Sequence, residues 1–509
     1  MSNSRNDYGI TKVATAGLLL ALLTGCTVGP RYRPPTPPTV TTYTPEPQPN
    51  STKTSPGVGG TEQQFNLASD IPAQWWTLFQ SPPLDHMVRE ALDHSPTVAE
   101  AAARLREAQE EVSARTGATK YPTVNGTASV EGEQVNLAAF GIPIKNPPPF
   151  ALLNGSVEVS YALDLFGANR RLIEGLNAEV EYQNWQLQGA RLMLAGNVVS
   201  ASIRQAQLRS EIEVARRMLT LQGRTLQITE ERYRAGGVAE YDVLSQRTAL
   251  AQMQASLPPL EEQLDVVNHQ LAVLMGKTPA EASVEQISLD GLHLPPQLPV
   301  SLPSLLVRQR PDIRAAEALV HHASANVGLA TANLYPQIVL SGSTGAIGTS
   351  FASGGGIWNV GASLTQPIFK GGSLRAEKRN AIAAYEETGS AYQQTVLQAF
   401  REVADALRAI DHDAQALHDR SEAADQADGA YHIASHRYAA GGISQLSLLD
   451  AQRQQLQTAL DRIAYQAARY SDSATLFQAL GGGWWNEKQA STVTNPSNAS
   501  HVPEAEICQ

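Results

Sequence analysis

Three short stretches carry side chains that could do chemistry of their own. Gly276-Lys277-Thr278 has the last three residues of a phosphate-binding loop, in which backbone N–H groups and a lysine cradle phosphates. Leu271 stands where the first glycine of that loop belongs, and the stretch closes a helical run where the loop has to open one. His432 and His436 lie one helical turn apart, as two zinc ligands would, yet no glutamate separates them and no third ligand is evident. They read as solvent-facing histidines. No hydrolase elbow or dinucleotide fingerprint occurs, so the chain is expected to be no enzyme, to hold no metal or cofactor, and to draw any work from a partner.

A third chemistry is written at the start of the chain. Arg5 and Lys12 form a basic beginning, Val13 to Leu23 an apolar stretch, and Leu23-Thr24-Gly25-Cys26 a small-residue cleavage site. The apolar stretch falls short of the about twenty residues a bilayer-spanning helix needs. The tetrapeptide resembles a bacterial lipobox, whose cysteine becomes the lipid-bearing first residue of the mature chain. Residues 1–25 are therefore read as a signal peptide and Cys26 as the lipidation site, a covalent lipid being the only non-protein group expected. Thr27 lacks the aspartate that, in such signals, retains lipoproteins at the inner membrane, which favours the outer membrane. The other cysteine, Cys508, lies in a polar tail, so no intrachain disulfide is available. Removing the signal takes away Arg5, Lys12 and Asp7, a net charge of +1, so the formal −11 becomes −12. A nucleic-acid partner is excluded on that charge.

Residues 26–60 form a lipidated N-terminus and a Pro/Thr/Ser-rich tether, expected to be extended and to pack poorly. Folded structure begins at Trp75-Trp76, Phe79, Pro82 and Leu84, and Leu84 to Thr116 has helical spacing. Two phrases then organise the rest: Arg232-Tyr233-Arg234-Ala235-Gly236-Gly237-Val238 and Arg437-Tyr438-Ala439-Ala440-Gly441-Gly442-Ile443. Each ends a long proline-free run, Asn169 to Tyr233 and Ser373 to Tyr438, with paired glycines that let a helix stop and reverse. Return helices follow, Tyr241 to Met275 and Leu446 to Leu480. Val396, Phe400, Val403, Leu407, Ile410, Ala414 and Leu417 alternate steps of four and three, the pattern of coiled-coil packing; Leu194, Val198, Ala201, Leu208, Ile212, Ala215 and Leu219 do nearly the same around Gln205. Pro258-Pro259 should break the first return helix. End-to-end stacking is expected to join Tyr241–Met275 to Asp312–Asn333, and Leu446–Leu480 to Leu84–Thr116.

The constant offset between the two phrases extends to Gly276 and Gly481. Leu165-Phe166 answers Ile368-Phe369, and Lys120-Tyr121-Pro122 answers Leu334-Tyr335-Pro336. One unit is used twice, over 61–280 and 281–485, with a polar tail at 486–509. Within each unit the period changes to two: Val157, Val159, Tyr161, Leu163 and Leu165 oppose Ser156, Glu158, Ser160 and Asp164, and Trp358, Val360, Ala362 and Leu364 oppose Asn359, Gly361, Ser363 and Thr365. Weaker partners lie at Thr123–Glu131 and Gln337–Thr344, with loops at 136–153 and 345–356. Strands of about ten residues suit a tilted membrane crossing, and four cannot close a barrel alone, because about eight is the minimum and lipid tolerates no open edge. Several copies must combine. A coiled-coil envelope scaffold without a pore is the alternative, for which alternating strands have no use.

The lipobox, Trp75-Trp76 to Leu84, Leu305-Leu306 with Arg310-Pro311-Asp312-Ile313, both Arg-Tyr-x-x-Gly tips, and Leu448-Leu449-Asp450-Ala451-Gln452 together resemble the TolC-like outer-membrane factors, in the lipoprotein subgroup that includes OprM and NodT. The resemblance covers Cys26 to about Trp485. It implies an α+β membrane protein: a homotrimer with a twelve-stranded transmembrane β-barrel on a periplasmic α-barrel. The implied activity is a passive exit duct of a tripartite efflux system, working with a periplasmic adaptor and an inner-membrane RND pump, or else a type I protein-secretion duct of the same build. It also implies roles at the tips: Asp450 as a carboxylate ring with Leu446 as an apolar ring beside it, Asp242 and Tyr438 as a hydrogen-bonded lock, and Gly236, Gly237, Val238, Gly441, Gly442 and Ile443 as the adaptor's docking surface. Ser447 stands where some members have a second aspartate, and Ile443 where the family has an arginine, so the ring should be singly acidic and the lock should lack a salt bridge.

Overall fold

The computed structural model describes residues 27–67, 70–136, 141, 148–350 and 354–486. Cys26, the signal and the tail beyond Asn486 lie outside them. In chain order the elements are β1 (Gln64–Leu67), α1 (Pro82–His94), α2 (Pro96–Lys120), β2 (Thr123–Glu133), β3 (Phe150–Leu163), α3 (Ala168–Arg234), α4 (Glu240–Leu274), β4 (Gln297–Val300), α5 (Pro303–Gln309), α6 (Pro311–Ala332), β5 (Gln337–Gly348), β6 (Gly355–Thr365), α7 (Ser373–Ala439) and α8 (Gln445–Ala479).

The proline-free runs are single rods. α3 and α7 have 67 residues each, and the return helices α4 and α8 have 35 each. At about 1.5 Å per residue a rod is roughly 100 Å long. Each starts at a left-handed glycine, Gly167 or Gly372, and α3 is further capped by Asp164, whose carboxylate accepts from the N–H groups of Asn169 (3.1 Å) and Arg170 (3.0 Å). The stops are alike too: Gly236 and Gly441 are left-handed, and Gly237 and Gly442 each donate a 2.8 Å bond back to the carbonyl of Arg232 and Arg437.

The alternating apolar stripe of α7 is the packed face. Val396, Val403, Leu407, Ile410, Ala414 and Leu417 are buried, with Phe400 packed against them. On α3 Gln205 interrupts the stripe yet is itself buried, its amide bonding Asn268 (2.8 Å) and accepting from the N–H of Ile287 (3.0 Å). A buried amide with both ends satisfied costs little. α3 packs on α2 and α4 and also on α6 and α8, while α7 packs on α6 and α8. The order of staves leaves α2 with α4, and α7, as the outer two.

The stacking differs from the sequence expectation. α4 ends at Gly276, whose missing Cβ would meet the carbonyl of His94 and the ring of Pro96, so α4 abuts the α1–α2 junction, and Lys277 is ion-paired with Glu90. α8 ends at Gly481 against Gln309 and Arg310, and Arg310 Nη1 donates to the carbonyl of Ala479 (2.9 Å), so α8 abuts α6. Each return helix thus meets the proline-started helix of its own half, because a helix end with a left-handed glycine fits closely against the extended residue before a proline. The expected first helix is likewise two, α1 and α2, divided at extended Ser95. Pro258 and Pro259, by contrast, do not interrupt α4. Their missing donors free the carbonyls of Gln254 and Ala255, both on exposed residues where water can serve them.

Trp75, Phe79, Tyr470 and Phe477 form an aromatic core at this level, with ring centroids 5.6 Å (Trp75 to Phe477) and 6.3 Å (Phe79 to Tyr470) apart. A parallel pair of short strands, β1 and β4, sits beside it and was not expected. The tether also packs more than its composition suggests. Tyr32 stacks on His321 (4.1 Å), Tyr43 donates to the carbonyl of Ser301 (2.8 Å), and Glu46 pairs with Arg408 (2.7 Å), so two tyrosines and an acid pin an otherwise irregular strand to the helices.

The remaining strands make one antiparallel sheet in the order β2-β3-β5-β6. The strands run further into the expected loops than the alternation alone indicated, since Phe150 and Leu152 pair with Glu133 and Glu131.

Candidate functional site

Register places like residues in rows across the sheet. Val124, Val159, Gly342 and Val360 share a row; so do Tyr161, Leu340 and Ala362, and Leu163, Ile338 and Leu364. The intervening rows are Thr123, Ser160, Ser341 and Gly361, then Asn125, Glu158, Ser343 and Asn359. Successive residues point to opposite faces, so one face is apolar and the other polar. The apolar face is uncovered: Trp358 is 79% exposed and Val360 81%. A sheet in water buries such a face; here nothing among the described residues lies on it. No described helix is long and apolar enough to cross a membrane.

At the other end the two hairpin tips lie side by side. Arg232 reaches from the first to the second, Nη1 donating 3.0 Å to the carbonyl of Tyr438 and Nη2 donating to that of Ala439, with the guanidinium 5.2 Å from the Tyr438 ring. Gln445 returns the contact by donating to the carbonyl of Asp242. The expected lock between the side chains of Asp242 and Tyr438 is not made within the chain. The Tyr438 hydroxyl lies 3.3 Å from Thr229, and the Asp242 carboxylate accepts from the N–H of Ala239 (3.2 Å), capping its own helix, which the helix dipole favours. Sequence reasoning gives Thr229 and Gln445 no role and names Arg232 only as the opening residue of the first tip phrase, with no partner assigned to it.

Leu446 and Asp450 project from one face of the first turns of α8, at i and i+4, and both are exposed. Arg453 stands 3.9 Å from Asp450, an exposed pair that weakens the carboxylate's field without cancelling it. Gly236, Gly237, Gly441 and Gly442 are fully at the surface, whereas Val238 is half-buried and Ile443 packs against Tyr431, Tyr438 and Leu448. Gly276-Lys277-Thr278 is the end of α4, with Lys277 committed to Glu90 and Thr278 to Glu281. His432 and His436 are exposed, His432 lying 3.4 Å from Asp428, and no group of metal-ligating side chains is found among the described residues.

A sheet with one apolar and one polar face, running directly into staves some 100 Å long that end in paired hairpin tips, defines the class: an envelope channel subunit that joins a membrane sheet to a helical conduit. The profile of the outer membrane efflux protein family matches residues 87–277 and 302–482. The chain is 32% identical over 432 residues to the pyoverdine export outer membrane protein OpmQ of Pseudomonas aeruginosa, covering 83% of this chain and 90% of that one. It is 30% identical to nodulation protein T of Rhizobium leguminosarum bv. viciae, covering 96% of each. Its fold superposes on the outer-membrane channel OprN with a TM-score of 0.81 at 30% identity, covering 90% of this chain and all of that one, and on VceC of Vibrio cholerae with 0.74 at 28% identity, covering 81% and 99%. The chain belongs to the outer membrane efflux protein family. It is an outer-membrane channel, the exit duct of a tripartite efflux pump, and a passive conduit with no catalytic role.

Proposed function

We propose that three copies close into one tube: a twelve-stranded barrel in the outer membrane, continued by a helical barrel through the periplasm. The observation that carries this is the coincidence of the open edges. β2 follows the outer stave α2 and β6 leads into the outer stave α7, so sheet and staves end on the same two flanks. Joining one flank to the other is a head-to-tail contact, which closes a ring. Exposed apolar residues on these staves, Leu244, Val266 and Val273 of α4 and Ile382, Leu397 and Ile433 of α7, suit such a join. The two halves, 61–280 and 281–485, are a duplicated unit, as their equal rods and stops support.

Cys26 carries the lipid. Thr27 lies against Gly167 and Val28 donates 3.2 Å to the carbonyl of Phe166, where β3 passes into α3, so the anchor would enter beside the barrel's base. At the far end Leu446 and Asp450 ring the mouth, with Tyr438 and Asp242 on the hairpins behind them. The tips at Gly236, Gly237, Val238 and Gly441, Gly442, Ile443 receive the periplasmic adaptor of an inner-membrane RND pump. The cargo is a small molecule; a relative that exports pyoverdine supports this. Purified full-length lipoprotein should form a heat-modifiable trimer and open cation-preferring pores in a planar bilayer. A water-soluble monomer without pores would overturn the reading.

A further inference from the structure

Phe166, just beyond β3, stacks on Tyr335, just before β5, with ring centroids 4.8 Å apart and planes inclined by 21°. The two residues continue the β3–β5 register, so the stack closes the seam between the two halves at the end where strands become helices. The same pair of positions occurs once more in the sequence, at Phe369 beyond β6 and Tyr121 before β2. Here the two strands are the opposite edges of the sheet, and the rings stand apart: Phe369 is 87% exposed and Tyr121 60%.

We infer that Phe369 stacks on Tyr121 of the neighbouring copy, and that the β3–β5 seam is the template for the seam between copies. The inference rests on the ring proposed above and adds its register. Carrying the internal pairing over through the two aromatic anchors sets Val360 opposite Val130, Ala362 opposite Ala128, and Leu364 opposite Gly126. Trp358 then falls opposite Gly132. The anchors alone produced this register, yet it brings apolar rows to apolar rows and polar to polar. A slip of one residue would set Val360 against Ser129 or Glu131 and turn each strand's apolar side to the wrong face. An offset aromatic stack at each seam adds to the backbone ladder and fixes its end point. A lipid-facing belt is the other use of an exposed Phe and Tyr, but it gives no reason for the positions to repeat those of a stacked pair.

Cysteine pairs in full-length protein with Cys508→Ser test the register. Directly opposed residues lie within the reach of a disulfide. Val130→Cys with Val360→Cys should give dimer and trimer ladders on oxidation, and neither single variant should. Val130→Cys with Leu364→Cys, displaced by about 13 Å along the strand, should give none. Phe369→Ala and Tyr121→Ala should each lower the temperature of trimer dissociation by about 2 °C, the double variant no further. Ladders confined to the displaced pair, or additive losses as for independent lipid contacts, overturn the register while leaving the ring standing. A native chain that sediments as a monomer removes the ring itself.

Discussion

Arg232 holds Tyr438 in two ways, through a 3.0 Å bond to its carbonyl and through the face of its ring. The contact joins the end of one long rod to the end of the other, at the point where a family lock was expected from Asp242. A planar fork that bonds two carbonyls while lying on an aromatic face is not reproduced by an ammonium group. Arg232→Ala should free the tips at a cost of about 1 kcal/mol per chain, seen as a several-fold rise in resting conductance in planar bilayers. Arg232→Lys should fall between. Equal conductance in all three proteins would remove Arg232 from the gate.

The carboxylates of Asp450 would approach one axis in the assembled mouth. Like charges in a narrow ring repel unless hydrated or counter-ioned, and they favour passing cations. Asp450→Asn should therefore reduce cation preference, with conductance altered about two-fold or less, and Arg453→Ala should increase preference by baring the acid. Reversal potentials in a salt gradient measure both. If neither variant moves them, Asp450 is only an exposed helix-start acid.

Gly237 and Gly442 offer a clean test of docking, because the fold itself leaves room there. A Cβ on either would meet nothing closer than a carbonyl oxygen at 3.5 Å, and neither residue needs a left-handed backbone, unlike Gly236 and Gly441. Gly237→Leu and Gly442→Leu should thus assemble normally and yet lose efflux, read as at least four-fold greater drug sensitivity in a strain lacking its own exit duct. Loss of trimer instead would make the glycines structural.

Much of this architecture was legible because its signals are local. The rods follow from proline-free sequence and paired glycines, the sheet faces from strict alternation, and the buried stripe of α7 from steps of four and three. What failed was set by contacts between distant segments. Which helix stacks on which is decided by Gly276 meeting His94 and by Gly481 meeting Gln309, and no periodicity encodes either meeting. Apolar spacing runs straight through Ser95-Pro96, where the structure divides α1 from α2. The four-residue strands β1 and β4 are too short for a period, and β4 contains Pro299. At the tips, Arg232 and Arg437 look equivalent in sequence; the distinction arises only when the two hairpins lie together.

The last expectation concerns pH. Asp472 of α8 is pushed up to about 8, chiefly by burial, then by the charge of Asp413 on α7 and a hydrogen bond with it, against the opposing pull of buried Arg469. In the unfolded chain the carboxyl ionises near pH 4. Between those two values the folded state therefore holds a proton that the unfolded state has lost, so stability falls as pH rises. The contribution is complete below about pH 4, declines through the interval to about pH 8 and is level above it. The α7–α8 pair should then be firmer at pH 5 than at pH 9. Trimer dissociation temperature should drop over that range in the native chain, while Asp472→Asn, which keeps the shape and removes the titration, should flatten the profile and gain stability at the alkaline end. Asp413→Asn should remove the repelling charge and so move the decline to lower pH. A native profile that is already flat between pH 5 and 9 would mean that water reaches Asp472 and that the two rods are not coupled through its proton.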